Sequence, residues 1–382
     1  MDFELTNRQK QIRMAAREFA EGELAGIGQE CEIKEDFPRE LVRKAAQLGF
    51  LGVFIKKEYG GLGLGFLEHA IILEEFWRID PGLGQVFSSV PFGAEELQFF
   101  GSEEQKKKFL PPLVRGDWMM GFSITEPEAG SDTASATTTA QRVGDQYVIN
   151  GNKVMITNGT IANFLLVYCL THPEETSKSK RHSILLVETD RPGYRADRIH
   201  RKMGIRASDT ANIYFNNVRV PGENLVGTEG NGFYQLMKFF DHSRAYVAAH
   251  GVGLAQGAME QAINYVKKRK QFGKAIASFQ VTQFKIAEMA TLIETARTLV
   301  YKACTNLDRG NVDTQLSAMA KWWACNVSVR VVDEALQLHG GYGYLDDYPI
   351  ERFYRAAKIL ELYEGTKEID KMTIGRRILG AT

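Results

Sequence analysis

Apolar residues change their spacing twice along the chain, and the order of these changes restricts the fold that it can adopt. Residues 1–118 and 231–382 carry apolar residues at helical intervals, whereas residues 119–230 contain β-rich runs such as 164–170 and 213–220. Helical and β segments are grouped rather than alternating, which argues against a doubly wound parallel sheet. We expect an α+β protein with an N-terminal α-helical domain (1–118), a middle β barrel or sandwich (119–230) and a C-terminal four-helix bundle (231–382).

Local motifs predict where several elements begin and turn. Thr6 with Gln9, and Ser102 with Gln105, have the spacing of a capping box and are expected to begin helices. Asn150-Gly151 stands between two β-rich stretches and predicts a two-residue hairpin turn. In the C-terminal domain the apolar pattern favours helices over residues 230–268, 280–308, 312–339 and 350–379.

The charge balance argues against several classes of partner. Lys and Arg total 47 and Asp and Glu total 47, whereas nucleic-acid or anionic-membrane binding would favour a basic excess. We see no apolar run of membrane-spanning length and no apolar signal segment, and we expect a cytoplasmic protein. The histidines do not pair at metal-ligand spacing, so no metal site is expected. No zinc or redox-dithiol spacing connects the four cysteines, Cys31, Cys169, Cys304 and Cys325.

Gly251-x-Gly253 has the beginning of a dinucleotide-binding fingerprint. However, Gln256 occupies the third glycine position, and the stretch lies inside a helical pattern with no strand before it. We therefore interpret these glycines as small residues that let two helices pack closely.

Two other clusters have the residue types that ligand sites use. Residues 121–132 are dense in glycines and hydroxyl side chains, so backbone N–H groups and hydroxyls could approach a ligand there. Residues 362–366, Leu-Tyr-Glu-Gly-Thr, place Glu364 before a glycine at a break between two helical stretches. Read alone, the first cluster is equally compatible with an ordinary loop, and the second with a solvated carboxylate.

Taken together with later motifs, the two clusters resemble the signatures of the acyl-CoA dehydrogenase family. The Thr-Glu-Pro-x-Ala-Gly-Ser-Asp, Asn-Gly-x-Lys and Ile-Thr-Asn-Gly motifs stand at residues 125–132, 150–153 and 156–159. Further matches follow in the family's order at residues 269–274, 337–341 and 363–366. The resemblance covers essentially the whole chain and includes the three-part organisation.

The resemblance implies that FAD binds between the β domain and the C-terminal bundle. Positions that match isoalloxazine contacts are Phe122, Ile124, Thr125 and Thr157. Met155 stands where many family members carry a tryptophan against the flavin, and a thioether can fill that space. Positions that match the ADP half are Arg269 and Phe272, offered to the FAD of a neighbouring subunit, and Gln337, Gly340, Gly341, Thr366 and Glu368.

The same resemblance implies the chemistry. Glu364 matches the base that removes the α-proton of an acyl-CoA thioester while the β-hydride passes to the flavin, which gives a 2-enoyl-CoA. Ser131, Asp241, Arg244 and Tyr363 match positions beside the CoA thioester, and the acyl pocket is expected to be lined by Gly84, Gln85, Ser88, Ser89 and Phe92. The small side chains of Ser88 and Ser89 favour a branched or alicyclic acyl group, such as cyclohexanecarboxyl.

The family further implies a homotetramer built as a dimer of dimers and an electron-transferring flavoprotein as electron acceptor. Alternatives stay open at this point: an enoyl-CoA reductase running in reverse, a glutaryl-CoA-type dehydrogenase, or a flavoprotein scaffold without activity. A glutaryl-type enzyme carries an arginine in the pocket helix, where Gly84 falls in this chain. Retention of Glu364 together with the flavin motif argues against the scaffold.

Overall fold

The order of helices and strands follows the changes in apolar spacing. In the computed structural model, which describes residues 4–380, the N-terminal part is helical, the middle part is a β-sheet and the C-terminal part is helical again, which confirms the predicted fold class. The N-terminal helices are α1 (Asn7–Phe19), continued by a π-helical turn (Ala20–Leu24), α2 (Gly28–Lys34), α3 (Arg39–Gln47), α4 (Phe66–Ile79), α5 (Pro81–Ser89), α6 (Ala94–Phe100) and α7 (Glu103–Val114).

Both predicted capping boxes are confirmed. The Thr6 hydroxyl accepts a hydrogen bond from the Gln9 N–H at 3.3 Å, and the Gln9 side chain accepts one from the Thr6 N–H at 3.0 Å. Ser102 and Gln105 make the same reciprocal pair at the start of α7, at 3.2 and 3.0 Å. These bonds satisfy N–H groups that a helix start would otherwise leave without partners.

The middle domain is one mixed sheet whose hydrogen-bonded path is not closed. The strands are β1 (Met120–Ser123), β2 (Thr139–Val143), β3 (Gln146–Thr157), β4 (Phe164–Leu170), β5 (His182–Glu188), β6 (Tyr194–Arg198), β7 (Thr210–Pro221) and β8 (Leu225–Val226). Their order in the sheet is β6-β7-β3-β2-β4-β5-β8, and β1 joins the sheet by pairing with β4 in parallel.

The hairpin predicted at Asn150-Gly151 is wrong, because both residues lie inside the continuous strand β3. The Asn150 side chain accepts a hydrogen bond from the Asn217 N–H on β7 at 2.8 Å, so it bridges strands instead of turning the chain. Gly151 has φ 146° at a register shift between β3 and β7, which makes it a bulge position. The turn between β2 and β3 lies at Gly144, with φ 62°.

The C-terminal helices pack around α8. They are α8 (Gly232–Lys268), α9 (Gln280–Asp308), α10 (Thr314–His339), α11 (Ile350–Leu360) and α12 (Lys367–Leu379), with a small hairpin of β9 (Lys270–Gln271) and β10 (Lys274–Ala275) after α8. The helical stretch expected over 350–379 is divided at residues 361–366, where the sequence placed Glu364 at a helix break. Within residues 4–380, no helix combines the length and apolarity needed to cross a membrane. All four cysteines are free and buried.

Gly251 and Gly253 let α8 approach its neighbours at backbone distance, as the sequence predicted. A Cβ atom at Gly251 would lie 2.6 Å from the Ala324 carbonyl oxygen of α10, and one at Gly253 would lie 2.3 Å from the Glu74 carbonyl oxygen of α4. Both glycines sit deep inside α8 and no strand precedes them, so the dinucleotide-binding interpretation is excluded.

We predict that Gly253→Ala lowers the midpoint of thermal unfolding, because the methyl group has no room against the α4 backbone. Overpacking of this kind typically costs about 1–3 kcal/mol. Gly375→Ala is the matched control, since a Cβ there meets no atom within 4 Å and alanine favours a helix by ~0.5–1 kcal/mol. An unfolding midpoint for Gly253→Ala at or above that of the control would contradict the close-packing interpretation.

Candidate active site

The loop between α11 and α12 holds Glu364 in an unusual backbone conformation. Glu364 has φ 58° and Gly365 has φ 95°, so two successive residues occupy the left-handed half of backbone space. For a glutamate this conformation is uncommon and persists only when the surroundings hold it. Thr366 then caps α12, with its hydroxyl accepting from the Ile369 N–H at 3.4 Å. The loop therefore reverses the chain and directs Glu364 back toward α8.

Two consecutive residues of α8 contact Glu364. The Ser243 hydroxyl donates to Glu364 Oε2 at 2.5 Å, and Arg244 Nε donates to the Glu364 carbonyl oxygen at 3.1 Å. Burial raises the pKa of the Glu364 carboxyl, while the Ser243 hydrogen bond and the positive charge of Arg244 act to lower it. Burial is the larger influence, and a carboxylate with a raised pKa is a stronger base.

Tyr363, the residue before Glu364, is fixed from the opposite direction. Its hydroxyl shares a hydrogen bond of 2.8 Å with His250 Nδ1, and His250 stacks on Trp77 of α4 with ring centroids 4.6 Å apart. Burial moves the pKa of Tyr363 well above its ordinary value and that of His250 well below, so both groups are neutral near pH 7. The loop is thus held by two neighbouring side chains, that of Tyr363 through His250 and that of Glu364 through Ser243.

The segment after β1 carries the residues predicted to face the isoalloxazine. Phe122 and Ile124 are buried, and the Ile124 carbonyl oxygen accepts a hydrogen bond from Lys153 Nζ at 2.8 Å. The Thr125 carbonyl oxygen accepts from the Val154 N–H at 2.9 Å, which docks the segment against β3. The structure therefore brings the first and second flavin motifs together.

A buried ion pair beneath this segment was not predicted from the sequence. Lys153 and Glu126 pair at 2.9 Å, and the Glu126 carboxylate also accepts N–H bonds from Thr137 at 2.7 Å and Thr138 at 2.9 Å. Burial alone would raise the pKa of Glu126, but Lys153 and these hydrogen bonds outweigh it and lower the pKa to about 2. The signal was present, because both residues lie inside motifs that the sequence displays.

The end of β3 approaches β1 and α5 at Thr157. A Cβ at Gly121 would lie 2.5 Å from the Thr157 carbonyl oxygen, so only glycine allows this approach. The neighbouring Asn158 is buried, and its amide donates to the carbonyl oxygens of Met120 at 2.9 Å and Ser89 at 3.1 Å. Asn158 thereby joins the flavin motifs to the pocket helix, a role that sequence reasoning missed although Asn158 lies within the Ile-Thr-Asn-Gly motif.

Met155 is placed differently from its neighbours on β3. Its φ is 59° and its side chain is 66% exposed, which is high for an apolar residue in the middle of a strand. It faces out of the β domain without a packing partner that would bury it. This exposure suits a residue that a flat, apolar ring system covers.

Four of the residues predicted to contact the ADP half of FAD line one cavity of about 420 Å³. These residues are Arg269, Gln337, Gly340 and Gly341, and Tyr342 lies beside them with its ring 5.3 Å from the Arg269 guanidinium carbon. A Cβ at Gly340 or Gly341 would meet no atom within 4 Å, so the backbone is open to a ligand. An arginine beside exposed peptide groups fits a pyrophosphate, which needs charged and N–H donors.

Phe272, Thr366 and Glu368 lie outside the lining of that cavity. Phe272 is 93% exposed with φ 51° in the β9–β10 turn, so it projects away from its own chain. Thr366 and Glu368 stand at the first turn of α12. Four of the predicted ADP contacts thus share one cavity, whereas Thr366 and Glu368 lie apart from that lining at the start of α12.

The predicted acyl-pocket residues of α5 are largely engaged within the chain. The Ser88 hydroxyl donates to the Gly84 carbonyl oxygen at 2.5 Å and accepts from Trp77 Nε1 at 3.2 Å, and the Ser89 hydroxyl donates to the Val86 carbonyl oxygen at 2.8 Å. A Cβ at Gly84 would lie 2.8 Å from the Trp77 ring. The structure thus leaves no room for an arginine at this position.

The other predicted substrate residues are placed as follows. Gln85 is buried, with no hydrogen-bond partner for its Oε1 within residues 4–380, and Phe92 packs against Phe239 with centroids 5.2 Å apart. Ser131 lies in an exposed loop. The Asp241 carboxylate accepts a hydrogen bond from Thr314 on α10 at 3.0 Å. Asp241 and Arg244 are therefore both engaged by the protein itself, Arg244 with the Glu364 loop.

Three family profiles match the chain in succession. They are described as "Acyl-CoA dehydrogenase, N-terminal domain" over residues 6–117, "middle domain" over 121–218 and "C-terminal domain" over 230–379. The chain belongs to the acyl-CoA dehydrogenase family. This confirms the resemblance seen in the motifs, and the family's members are oxidoreductases and flavoproteins.

Individual relatives extend over nearly the full length of the chain. The short-chain-specific acyl-CoA dehydrogenase of Clostridium acetobutylicum is 41% identical over 379 residues, which cover 99% of this chain and 100% of that protein. The acryloyl-CoA reductase (NADH) of Anaerotignum propionicum is 41% identical over 381 residues, covering 99% and 96%. A solved structure described as the electron transferring flavoprotein of Acidaminococcus fermentans contains a chain with 41% identity and a TM-score of 0.96, covering 99% and 100%.

We predict that Ser243→Ala moves the acid limb of the pH–activity profile to higher pH. The hydroxyl lowers the pKa of Glu364 by donating to its carboxylate, so its loss raises that pKa and the basic form appears only at higher pH. The measurement is acyl-CoA-dependent reduction of an artificial electron acceptor as a function of pH. Ser328→Ala is the control, because Ser328 is also a buried helical serine but bonds the Cys325 carbonyl oxygen. An unchanged or acid-shifted limb in Ser243→Ala would refute the assignment.

Proposed function

We propose that this protein catalyses the FAD-dependent α,β-dehydrogenation of an acyl-CoA thioester to the 2-enoyl-CoA, with Glu364 as the base. The observation that carries the proposal is the Glu364 loop: a half-buried carboxyl of raised pKa on a left-handed residue that α8 holds. A glutamate held in this way adds little to the stability of the fold, but its raised pKa suits a proton acceptor. Membership of the acyl-CoA dehydrogenase family supports the reaction class.

The residues around Glu364 supply what proton removal needs. Ser243 occupies Oε2 and leaves Oε1 to accept the α-proton. The Glu364 N–H makes no hydrogen bond within residues 4–380, so this donor is available to a thioester carbonyl oxygen on which charge develops. A bound flavin supplies the acceptor for the β-hydride. Base and oxyanion donor thus belong to the same residue, and the loop conformation fixes their relative position.

We propose FAD as the cofactor, bound in a homotetramer arranged as a dimer of dimers. The cavity of Arg269, Gln337, Gly340 and Gly341 has the charge and the open backbone that a pyrophosphate requires. Phe272 follows Arg269 closely in the chain and is almost fully exposed. In the proposed tetramer, the cofactor of a neighbouring subunit covers it. Thr366 and Glu368 then contact the adenosine part of the chain's own FAD, and Met155 and Thr157 contact the flavin.

We propose that the acyl group is compact, either branched or alicyclic. We further propose that the protein acts in the cytoplasm and passes its electrons to an electron-transferring flavoprotein. The proposed pocket helix α5 carries the small residues Gly84, Ser88 and Ser89. The short-chain specificity of the Clostridium acetobutylicum relative supports a small substrate. The Acidaminococcus fermentans structure supports the acceptor. A glutaryl-type reaction is disfavoured because Gly84 lies against Trp77, where an arginine does not fit.

The reductive direction is the second candidate, because the Anaerotignum propionicum relative is an acryloyl-CoA reductase. Glu364 would then deliver a proton to the α-carbon instead of removing one. The same residues serve both directions, so the choice depends on the electron donor or acceptor. Comparing the rates with an oxidised acceptor and acyl-CoA, and with a reduced donor and enoyl-CoA, distinguishes the two candidates.

We predict that Glu364→Gln abolishes acyl-CoA-driven bleaching of the flavin while FAD content stays at the wild-type level. Gln preserves the volume of Glu but cannot act as a carboxylate base, and a positioned base contributes about 10²–10⁴-fold in rate. The measurement is anaerobic stopped-flow mixing, with flavin absorbance and light scattering recorded on the same samples. Glu351→Gln is the control, because Glu351 is a partly buried carboxylate that pairs with Arg355 one turn along α11. Bleaching of Glu364→Gln at the wild-type rate would eliminate Glu364 as the base.

We predict that compact acyl-CoAs are turned over with higher kcat/KM than long straight-chain ones. The expectation rests on the small residues of α5 and on Phe92, which packs on Phe239 and would limit the length of the proposed pocket. A screen of butyryl-, isobutyryl-, cyclohexanecarbonyl-, glutaryl- and palmitoyl-CoA with an artificial electron acceptor measures this preference. Highest efficiency with palmitoyl-CoA would refute it, and a preference for glutaryl-CoA would reveal a carboxylate-binding cation elsewhere.

A further inference from the structure

Two buried cations hold the backbone carbonyls of the Glu364 loop. Arg244 Nε of α8 donates to the Glu364 carbonyl oxygen at 3.1 Å, and Lys321 Nζ of α10 donates to the Gly365 carbonyl oxygen. The side chains of Lys321 and Arg244 are 1% and 8% exposed, so both charges are withdrawn from water. Successive peptide groups are thus tied to two different helices of the bundle.

Asp370 connects the two cations. Its carboxylate lies 3.2 Å from Lys321 Nζ and 3.5 Å from Arg244 Nε, and it is fully buried. Asp370 is in the first turn of α12, the helix that begins directly after the loop, and its N–H donates to the Thr366 carbonyl oxygen at 3.0 Å. Two buried cations at neighbouring carbonyls repel one another, and the carboxylate that they share attracts both and offsets part of this repulsion.

The left-handed conformation of the loop needs such an anchor. Glu364 has φ 58°, a conformation that costs energy for a residue with a side chain, and Gly365 has φ 95°. A Cβ at Gly365 would lie 3.0 Å from Arg244 Nη2, so the guanidinium packs directly on the loop. Without the two carbonyl bonds the loop could relax, and the Glu364 carboxyl and N–H would then leave their common position.

We propose that Asp370 is a positioning residue for catalysis: through Lys321 and Arg244 it holds the carbonyls of Glu364 and Gly365, and with them the base. The inference rests on the proposed function, since it concerns the geometry of the same base. Asp370 contacts no reacting atom, and its hold on the position of Glu364 passes through these two cations and the start of α12.

Asp370 has two separable effects on Glu364: it holds the loop in place, and its charge changes the pKa of the Glu364 carboxyl. Burial raises the pKa of Glu364 and Asp370 adds to this effect, while Arg244 and Lys321 oppose it. The titratable and charged groups whose fields reach Glu364 are Arg244 and Tyr246 of α8, Lys321 of α10, Asp370 of α12, Glu95 of α6 and the neighbouring Tyr363. Removal of the Asp370 charge therefore shifts the acid limb to lower pH, whether or not the loop moves.

Asp370→Asn tests the proposal, because the amide keeps the shape of the side chain and removes its charge. The readouts are hydrogen exchange of residues 361–367, followed by mass spectrometry, and kcat and KM with the best acyl-CoA. We expect faster exchange in this segment and a kcat about ten- to a hundredfold lower with little change in KM, since small misplacements of a catalytic group have effects of this size. Lys321→Met should raise exchange in the same segment, and the double variant should add little to either single change.

Glu74→Gln is the matched control. Glu74 is also a buried carboxylate, paired with Arg297 at 3.0 Å, and it makes no contact with residues 361–366. It should leave exchange of that segment and kcat near wild type. Wild-type exchange in Asp370→Asn, even with a shifted pH profile, would overturn the positioning role, as would a kcat equal to that of Glu74→Gln. If the wild-type enzyme itself fails to turn over acyl-CoA, the proposed function falls, and the exchange data still decide whether Asp370 holds the loop.

Discussion

The backbone-to-backbone packing of α8 between α4 and α10 is the constraint on which the candidate site depends. Gly251 and Gly253 permit this approach, because any side chain there would collide with a carbonyl oxygen of a neighbouring helix. On the same helix, His250 directly precedes Gly251, and Ser243 and Arg244 stand about two turns earlier; all three hold the Glu364 loop. Since α8 cannot shift without breaking its glycine contacts, the residues that it presents to the loop are fixed in space. The rigidity of the bundle is thus transferred to a segment that has no regular structure.

The motifs proposed to contact the flavin come from distant parts of the chain and meet through buried polar contacts. Lys153 and Glu126 hold the segment after β1 against β3, and Asn158 ties that region to α5. Each of these groups is buried and satisfied, so removal of one partner leaves another without compensation. The candidate site therefore depends on paired polar contacts, such as Lys153 with Glu126, that lie among apolar residues of the sheet and the helices.

Much of the fold could be predicted because it depends on local signals. Capping boxes at Thr6 and Ser102 and the periodicity of the long helices are written in neighbouring residues, and both are confirmed. Asn150-Gly151 shows the limit of such signals, because pairing of β3 with both β2 and β7 overrides the local preference for a turn. Glu364 could be located by its motif, whereas its contacts could not, since Ser243 and Arg244 approach it only after the helices have packed. The roles of Asn158 and Lys153 were missed for the same reason.

The stack of Trp77 on His250 links the pocket helix to the base. Trp77 donates to Ser88 and packs on Gly84 of α5, while His250 holds Tyr363, the neighbour of Glu364. A substitution on this face of α5 that moves Trp77 therefore also moves His250 and Tyr363, and with them the loop that carries Glu364. Under the proposed function, substrate range and turnover are therefore coupled through this stack, and substitutions at Gln85 or Phe92, which lie outside it, change the acyl pocket while leaving the indole in place.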